Sequence, residues 1–183
     1  PGEAKSFAIE HNLDTTHVMN IFARSMGNYK EIRSFISDTP DSLLSLALRM
    51  LDLLPDKDLR DTKGSILSDH LLTTVKTIKT GEDGDNIFLE YVLNPRVANE
   101  LITPWRSYFI KKLPSGLIDN VPANPLLVSE YLEKNIRIDD DENYYRTPLT
   151  PIGVTDLKVS DSFSRDICFV AICRSLGIPS RLE

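Results

Sequence analysis

The sequence predicts a mainly α-helical chain. Apolar residues recur at helical spacing through most segments, and turn signals such as Gly27, Pro40 and Pro55 fall between those segments. Strand-like runs are scarce, LKVS at Leu157 to Ser160 being one weak candidate. No repeat has a fixed period and no segment is low in complexity.

From the N-terminus, HVMNIFARSM (His17 to Met26) places Val18, Ile21, Phe22 and Met26 on one face. Gly27 is expected to end it in the left-handed conformation. Asn28 is then expected to cap the next helix, with Glu31 completing a capping-box pattern ahead of Ile32, Phe35 and Ile36. SDTPD marks a turn. Asp41 or Ser42 opens the leucine-rich SLLSLALRMLDLL, which Pro55 closes, and DKDLRD reads as a charged connection of about one turn. Ile66 to Ile78 is an amphipathic helix with Leu67, Leu71, Val75 and Ile78 in register, and TGEDGDN a loop.

Ile87 to Leu93 is short and apolar, interrupted at Asn94-Pro95. Val97 to Leu113 is expected to be helical, kinked or restarted at Pro104, with Trp105, Phe109 and Ile110 as core candidates. PSGLIDNVPANP reads as an irregular crossing, Leu126 to Ile136 as a helix, DDDEN as an acidic loop, and YYRTPLTPIGV as extended coil. The last helix runs from about Asp161 to Leu176. Seven consecutive apolar residues, Ile167 to Cys173, make it apolar all round, so it should be buried on every side. Gly177 and Pro179 then forbid more helix and turn the chain into an extended segment.

The 183 residues suffice for one sizeable domain or two small ones. With 41% apolar and 26% charged residues, the balance is that of a soluble globular protein. The net charge of −6 and the lack of a basic run argue against nucleic acid as a partner. No apolar stretch approaches the roughly 20 residues of a membrane span. No signal peptide is visible, and PGEAKS, without Met, reads as the start of a piece of a longer protein.

Cys168 and Cys173, five apart on one helix, face different ways and read as small buried apolar residues. No metal-ligand spacing exists, and no motif implies a cofactor. DDDEN lacks the glycine and distant glutamate of a calcium loop and reads as a solvated acidic turn. His70 has no second ligand in metal register and reads as a surface or packing histidine. Trp105 beside Arg106 suggests a sugar or cation platform, although a tryptophan at helical spacing with Phe109 is more often core. Arg96 and Glu100, four apart, are expected to form a helix-surface or inter-domain ion pair worth a few tenths of a kcal/mol.

In CRSLGIPSR, Cys173 to Arg181, the chain resembles the transglutaminase-like superfamily of papain-type folds. The family's central helix begins near G-x-C and ends in R-A-L-G-I-P-A-R. GNYKEIRSF, FLEYVLNPRVANELITPWRSYF and TPLTPIGV resemble the helical region preceding the core in a branch common in Bacteroides-type bacteria. The resemblance implies a helical N-terminal region, 1–120, leading at 121–183 into the approach loop and central helix of a truncated transglutaminase-like α+β core. It also implies an exported or lipid-anchored location, although the residues themselves leave the compartment open.

The family's chemistry uses a cysteine at the N-terminus of this helix, where the helix dipole and free N–H groups favour the thiolate. A histidine and an aspartate on later strands, beyond Glu183 here, orient and activate it. The nucleophile lies twelve residues before the motif arginine, which from Arg174 falls on Ser162. Cys168 is only six residues before Arg174, halfway down the helix. Ser164 stands where the family often has an acidic residue, and Ser160 where it has glycine. Ser162 is therefore the one candidate catalytic residue. A helix N-terminus supplies about 0.3–2 kcal/mol to a nearby anion, against about 1.4 kcal/mol for each pKa unit, so the hydroxyl stays protonated unless a base lies within about 3 Å. The alternative is that Asp161 or Ser162 caps the helix.

The leading expectation is a catalytically inactive transglutaminase-like protein that binds a peptide or glycopeptide in the inherited cleft or acts as a scaffold. The alternatives are an active acyl-transferase or amidase-type hydrolase with a non-standard nucleophile, and a helical protein-interaction module.

Overall fold

The computed structural model describes residues 2–77, 86–141 and 143–183. The Asp14 carboxylate accepts from the His17 N–H at 2.6 Å and caps a helix that starts at Thr15. In chain order the first elements are α1 (Gly2–Glu10), α2 (Thr15–Ser25), a 3-10 turn (Met26–Asn28), α3 (Tyr29–Asp38), a 3-10 turn (Asp41–Leu43), α4 (Leu44–Leu53), α5 (Asp56–Asp61) and α6 (Gly64–Thr77). Ile78 and the loop Thr80 to Asp85 lie outside the described residues. After them come α7 (Asn86–Phe88), running on as a π-helical turn (Leu89–Leu93), α8 (Trp105–Lys112), α9 (Ser115–Asn120), α10 (Leu126–Asn135), β1 (Arg137–Ile138), α11 (Pro151–Leu157), β2 (Val159–Ser160) and α12 (Ser162–Ser175). The protein is predominantly helical, with one open sheet of two parallel strands among the described residues.

The chain forms two compact units, one up to Ser68 and one from Asp69 to Glu183. The division at 120 rests on the resemblance and is not a division by compactness. In the first unit, Ile21, Ile32, Phe35, Ile36, Met50 and Leu51 are fully buried, as their helical spacing requires. Two local expectations fail there. Met26, not Gly27, takes the positive φ, 47°, that ends α2. The capping box at Asn28 does not form either. Asn28 donates to the carbonyls of Leu59 and Thr62 at 3.0 and 2.8 Å, and Glu31 accepts from the Gly64 N–H at 2.9 Å. Tertiary partners outbid the local cap, and Gly64 permits the approach, since a Cβ there would meet the Glu31 carbonyl at 2.7 Å. DKDLRD is a full short helix, α5, that buries Leu59.

The second unit is built around α12, which packs against α8, α10 and α11. Residues 170–175 are buried without interruption, so its C-terminal half is enclosed on every side. Trp105, Phe109, Leu132, Val154, Ala171 and Ile172 belong to this core, and each large aliphatic among them contributes about 1.5–3 kcal/mol by leaving water. Trp105 is thus a core residue closed to outside ligands, with the Arg106 guanidinium carbon 4.5 Å from its ring centroid.

Three expectations are corrected in this unit. Residues 97–104 are not helical, because the Glu100 carboxylate accepts from the N–H groups of Val97 and Ala98 at 3.1 and 2.9 Å and folds the segment into a turn. The Arg96–Glu100 pair, 3.7 Å apart, is accordingly no helix-surface pair, and the Glu100 side chain is fully buried. PSGLIDNVPANP contains α9. The expected coil ends in α11, with Thr150 as N-cap accepting from Gly153 at 3.0 Å and Pro151 as first residue.

Candidate functional site

Pairing of β1 with β2 builds the site. Arg137 N donates to Lys158 O at 3.0 Å and Asp139 N to Ser160 O at 2.9 Å. This short ladder carries the acidic segment that follows β1 to the head of α12. Asp140 is held there, accepting from the Ser162 N–H at 2.7 Å and from the Ser162 hydroxyl at 3.0 Å. Ser162 therefore lies in the first turn of α12, partly exposed, with both of its donors spent on one carboxylate.

Asp161 is the N-cap, accepting from Ser164 N at 2.9 Å, from Ser164 Oγ at 2.6 Å and from Asn143 Nδ2 at 2.8 Å. Burial works upward on its pKa, but the bonds from Ser164 and Asn143 outweigh it and hold the carboxyl below its ordinary range. Ser164, fully buried, also accepts from Leu149 N at 2.9 Å and so anchors the segment that leads into α11. Ser160 Oγ donates to the Asp161 carbonyl at 2.8 Å.

Around this head opens a cavity of about 510 Å³, lined among others by Asp140, Asp141, Arg146, Asp161, Ser162 and Phe163. Its loop carries Tyr144 and Tyr145, each 85% exposed, with ring centroids 5.2 Å apart and planes at 87°. Phe163 is also exposed. Of these three aromatic residues, Phe163 lines the cavity itself. A smaller apolar groove lies in the first unit, lined by Met19, Phe22, Met26 and Tyr29.

The cysteines are elsewhere. Cys168 and Cys173 are buried and free. Burial pushes both thiols up, Cys173 to about 12 and Cys168 further, so neither forms a thiolate near neutrality. Cys168 Sγ faces the Pro151 carbonyl at 3.7 Å. Arg174, the arginine of the motif, has a structural task. Its guanidinium donates to the carbonyls of Asn94, Arg96 and Ser180 at 2.9, 2.8 and 2.9 Å. Burial lowers its pKa to about 10, which still leaves it charged at neutrality. His70 is fully buried, and its ring nitrogens are hydrogen-bonded to the Thr103 carbonyl and to Arg106 Nε.

Among the described residues no three His, Cys, Asp or Glu side chains are grouped to hold a metal ion, and no helix is long and apolar enough to cross a membrane. The residue that sequence reasoning missed is Asp140, assigned to a solvated turn. Its one sequence signal was an acidic run ahead of a helix start, and only the β1–β2 pairing shows which helix it serves. No family of known proteins, no curated protein and no solved structure matches this chain.

Proposed function

We propose that this chain carries the approach region and central helix of a transglutaminase-like core whose nucleophile position, Ser162, has lost covalent chemistry, and that the surrounding cleft binds a peptide or glycan-linked peptide. One observation carries this reading: the N–H and the hydroxyl of Ser162 both end on Asp140. An acyl-transfer site needs donors free to receive an oxyanion. Here the first turn of α12 is occupied by two carboxylates, Asp140 and Asp161, which repel a developing negative charge. The exposed Tyr144, Tyr145 and Phe163 support a glycopeptide in particular, because sugar rings rest their C–H faces on aromatic side chains while carboxylates accept from their hydroxyls. An exported or lipid-anchored location follows from the resemblance alone.

A second reading takes the same contact as a nucleophile and its base, since 3.0 Å is within general-base reach. A carboxylate is a far weaker base than an alkoxide and is a poor match for deprotonating an alcohol. The two readings separate in one experiment. Wild type and Ser162→Ala are titrated calorimetrically with glycan-linked cell-wall peptides, the same peptides without glycan, and glutamine-containing peptides, while ammonia release is followed in parallel. Binding without turnover, retained in Ser162→Ala and weakened at least tenfold in Tyr144→Ala/Tyr145→Ala, supports the cleft binder. Turnover abolished by Ser162→Ala establishes the enzyme instead, and no binding by any ligand leaves a scaffold or helical interaction module.

A further inference from the structure

The least explained group in the second unit is His70. It sits in α6 with no exposed surface, its ring edge-on to Trp105 with centroids 4.7 Å apart. Both ring nitrogens are committed. Nε2 donates to the Thr103 carbonyl at 2.9 Å, and Nδ1 accepts from Arg106 Nε at 3.1 Å. A guanidinium has only donors, so Nδ1 must keep its lone pair, and the neutral Nε2–H form satisfies both contacts.

Arg106 is itself buried and spends its other donors on backbone carbonyls, those of Val92, Leu93 and Arg174. Through them it joins the end of the π-helical turn to the end of α12. Arg174 extends the arrangement to Asn94, Arg96 and Ser180, and Ser180 N closes it on the Tyr91 carbonyl at 3.0 Å. Two guanidinium groups thus hold together segments 91–96 and 174–180.

We propose that His70 is a proton-operated latch on this carbonyl cage, whose protonation releases Arg106 and with it the turn that follows α12. The charges near it favour this. Arg106 faces His70 from α8, and Arg174 stands beyond it in α12. Asp69, on the same helix as His70, accepts from Ser107 N at 3.3 Å and acts favourably on Arg106. Glu100 and Tyr91 act on Arg174, and Glu100 also meets Arg96. Among the described residues the carboxylates are therefore already engaged, and a third buried cation has no counter-charge. A proton on Nδ1 would point at the Arg106 Nε–H, donor against donor. Burial and the Arg106 charge accordingly lower the His70 pKa well below 6.5.

Linkage sets the size of the effect. While the closed form holds His70 neutral and the open form titrates near 6.5, the opening constant rises about tenfold per pH unit below that value, roughly thirtyfold by pH 5. The reporter is the Ser180 amide, whose hydrogen-bond partner is Tyr91 O. Its hydrogen-exchange protection factor, corrected for intrinsic rate, should fall about thirtyfold from pH 7.5 to 5, while that of Val18 in α2 stays constant. In His70→Gln, whose amide can donate to Thr103 and accept from Arg106 without titrating, the Ser180 factor should not change with pH. Should that variant fail to fold, imidazole nitrogen shifts of the wild type decide: the ring must be the neutral Nε2–H form at pH 7.5 and gain its proton as Ser180 protection is lost. A Ser180 factor that is flat to pH 5, one that falls equally in His70→Gln, or a ring that protonates with Ser180 still protected overturns the latch.

Discussion

Ser162 and the two cysteines differ most in who can reach them. Cys168 and Cys173 are buried and their thiols are pushed up, so native protein should show no thiol fast enough to react with Ellman's reagent, and two per chain in urea. Ser162→Cys should add one native, stoichiometric thiol at the head of α12. Its neighbour Asp140 disfavours the thiolate while the helix N-terminus favours it, which leaves reactivity close to that of an ordinary thiol with a pKa of about 8.5. Rapid labelling of wild type would show that a cysteine reaches solvent and would remove the case for an inactive site. Asp161 carries a second prediction. Asp161→Ala removes an N-cap and the tie to Asn143, and should lower stability by about 1–2 kcal/mol in urea unfolding. That cap was legible in the sequence, because Asp161 precedes an apolar run. Asp140 was not, because its partner lies 22 positions away and only strand pairing brings them together.

At the level of elements, the sequence succeeds where one face must be buried and fails where side chains compete with the backbone. The helices at 15–25, 29–38, 44–53 and 126–135 follow apolar periodicity. Residues 97–104 carry the same periodicity, yet Glu100 captures the Val97 and Ala98 N–H groups and no helix forms. α11 was hidden by its prolines, although Thr150 followed by Pro151 is itself a helix-start signal. Two of the helix ends with positive φ test this view with opposite signs. Gly177, at φ 80°, ends the turn after α12, and Gly177→Ala should destabilise by about 1–2 kcal/mol, the usual cost of a left-handed residue with a Cβ. Met26, at φ 47° and ψ −121°, stands where glycine is at ease, and its side chain is largely exposed. Met26→Gly should therefore raise the urea midpoint, relieving about 1–3 kcal/mol of backbone strain against a glycine entropy cost of up to about 1 kcal/mol. A lowered midpoint would mean that Met26 stabilises through its side chain.

At the scale of the whole molecule, composition and periodicity made the helical class legible, whereas the order within the second unit depends on a few buried polar groups that periodicity does not register. Arg106, Arg174, His70 and Glu100 are all almost fully buried, and no apolar pattern in the sequence marks that burial. Their arrangement sets how stability depends on pH. His70 has a lowered pKa in the folded state, so folding is unopposed above about 6.5 and loses up to about 1.4 kcal/mol per pH unit below it. Asp161 also has a lowered pKa, but as a carboxyl it contributes above its unfolded value near 3.9 and ceases to contribute as pH falls through its folded one. The expected profile is flat above pH 7, declines from about 6.5, and declines again in the acid range below 4. The net charge of −6 shrinks towards the isoelectric point near 5.1, which relaxes self-repulsion and works the other way. In 0.15 M salt, where screening acts over about 8 Å, that opposing contribution is small. Trp105, the single tryptophan of the chain, is buried against His70 and reports on the second unit alone. Its fluorescence midpoint in urea should hold between pH 8 and 7 and then drop steadily to pH 5, with the drop absent in His70→Gln. A wild-type midpoint that does not move between pH 7.5 and 5 would mean that the buried imidazole finds a counter-charge or a route to water in its protonated form.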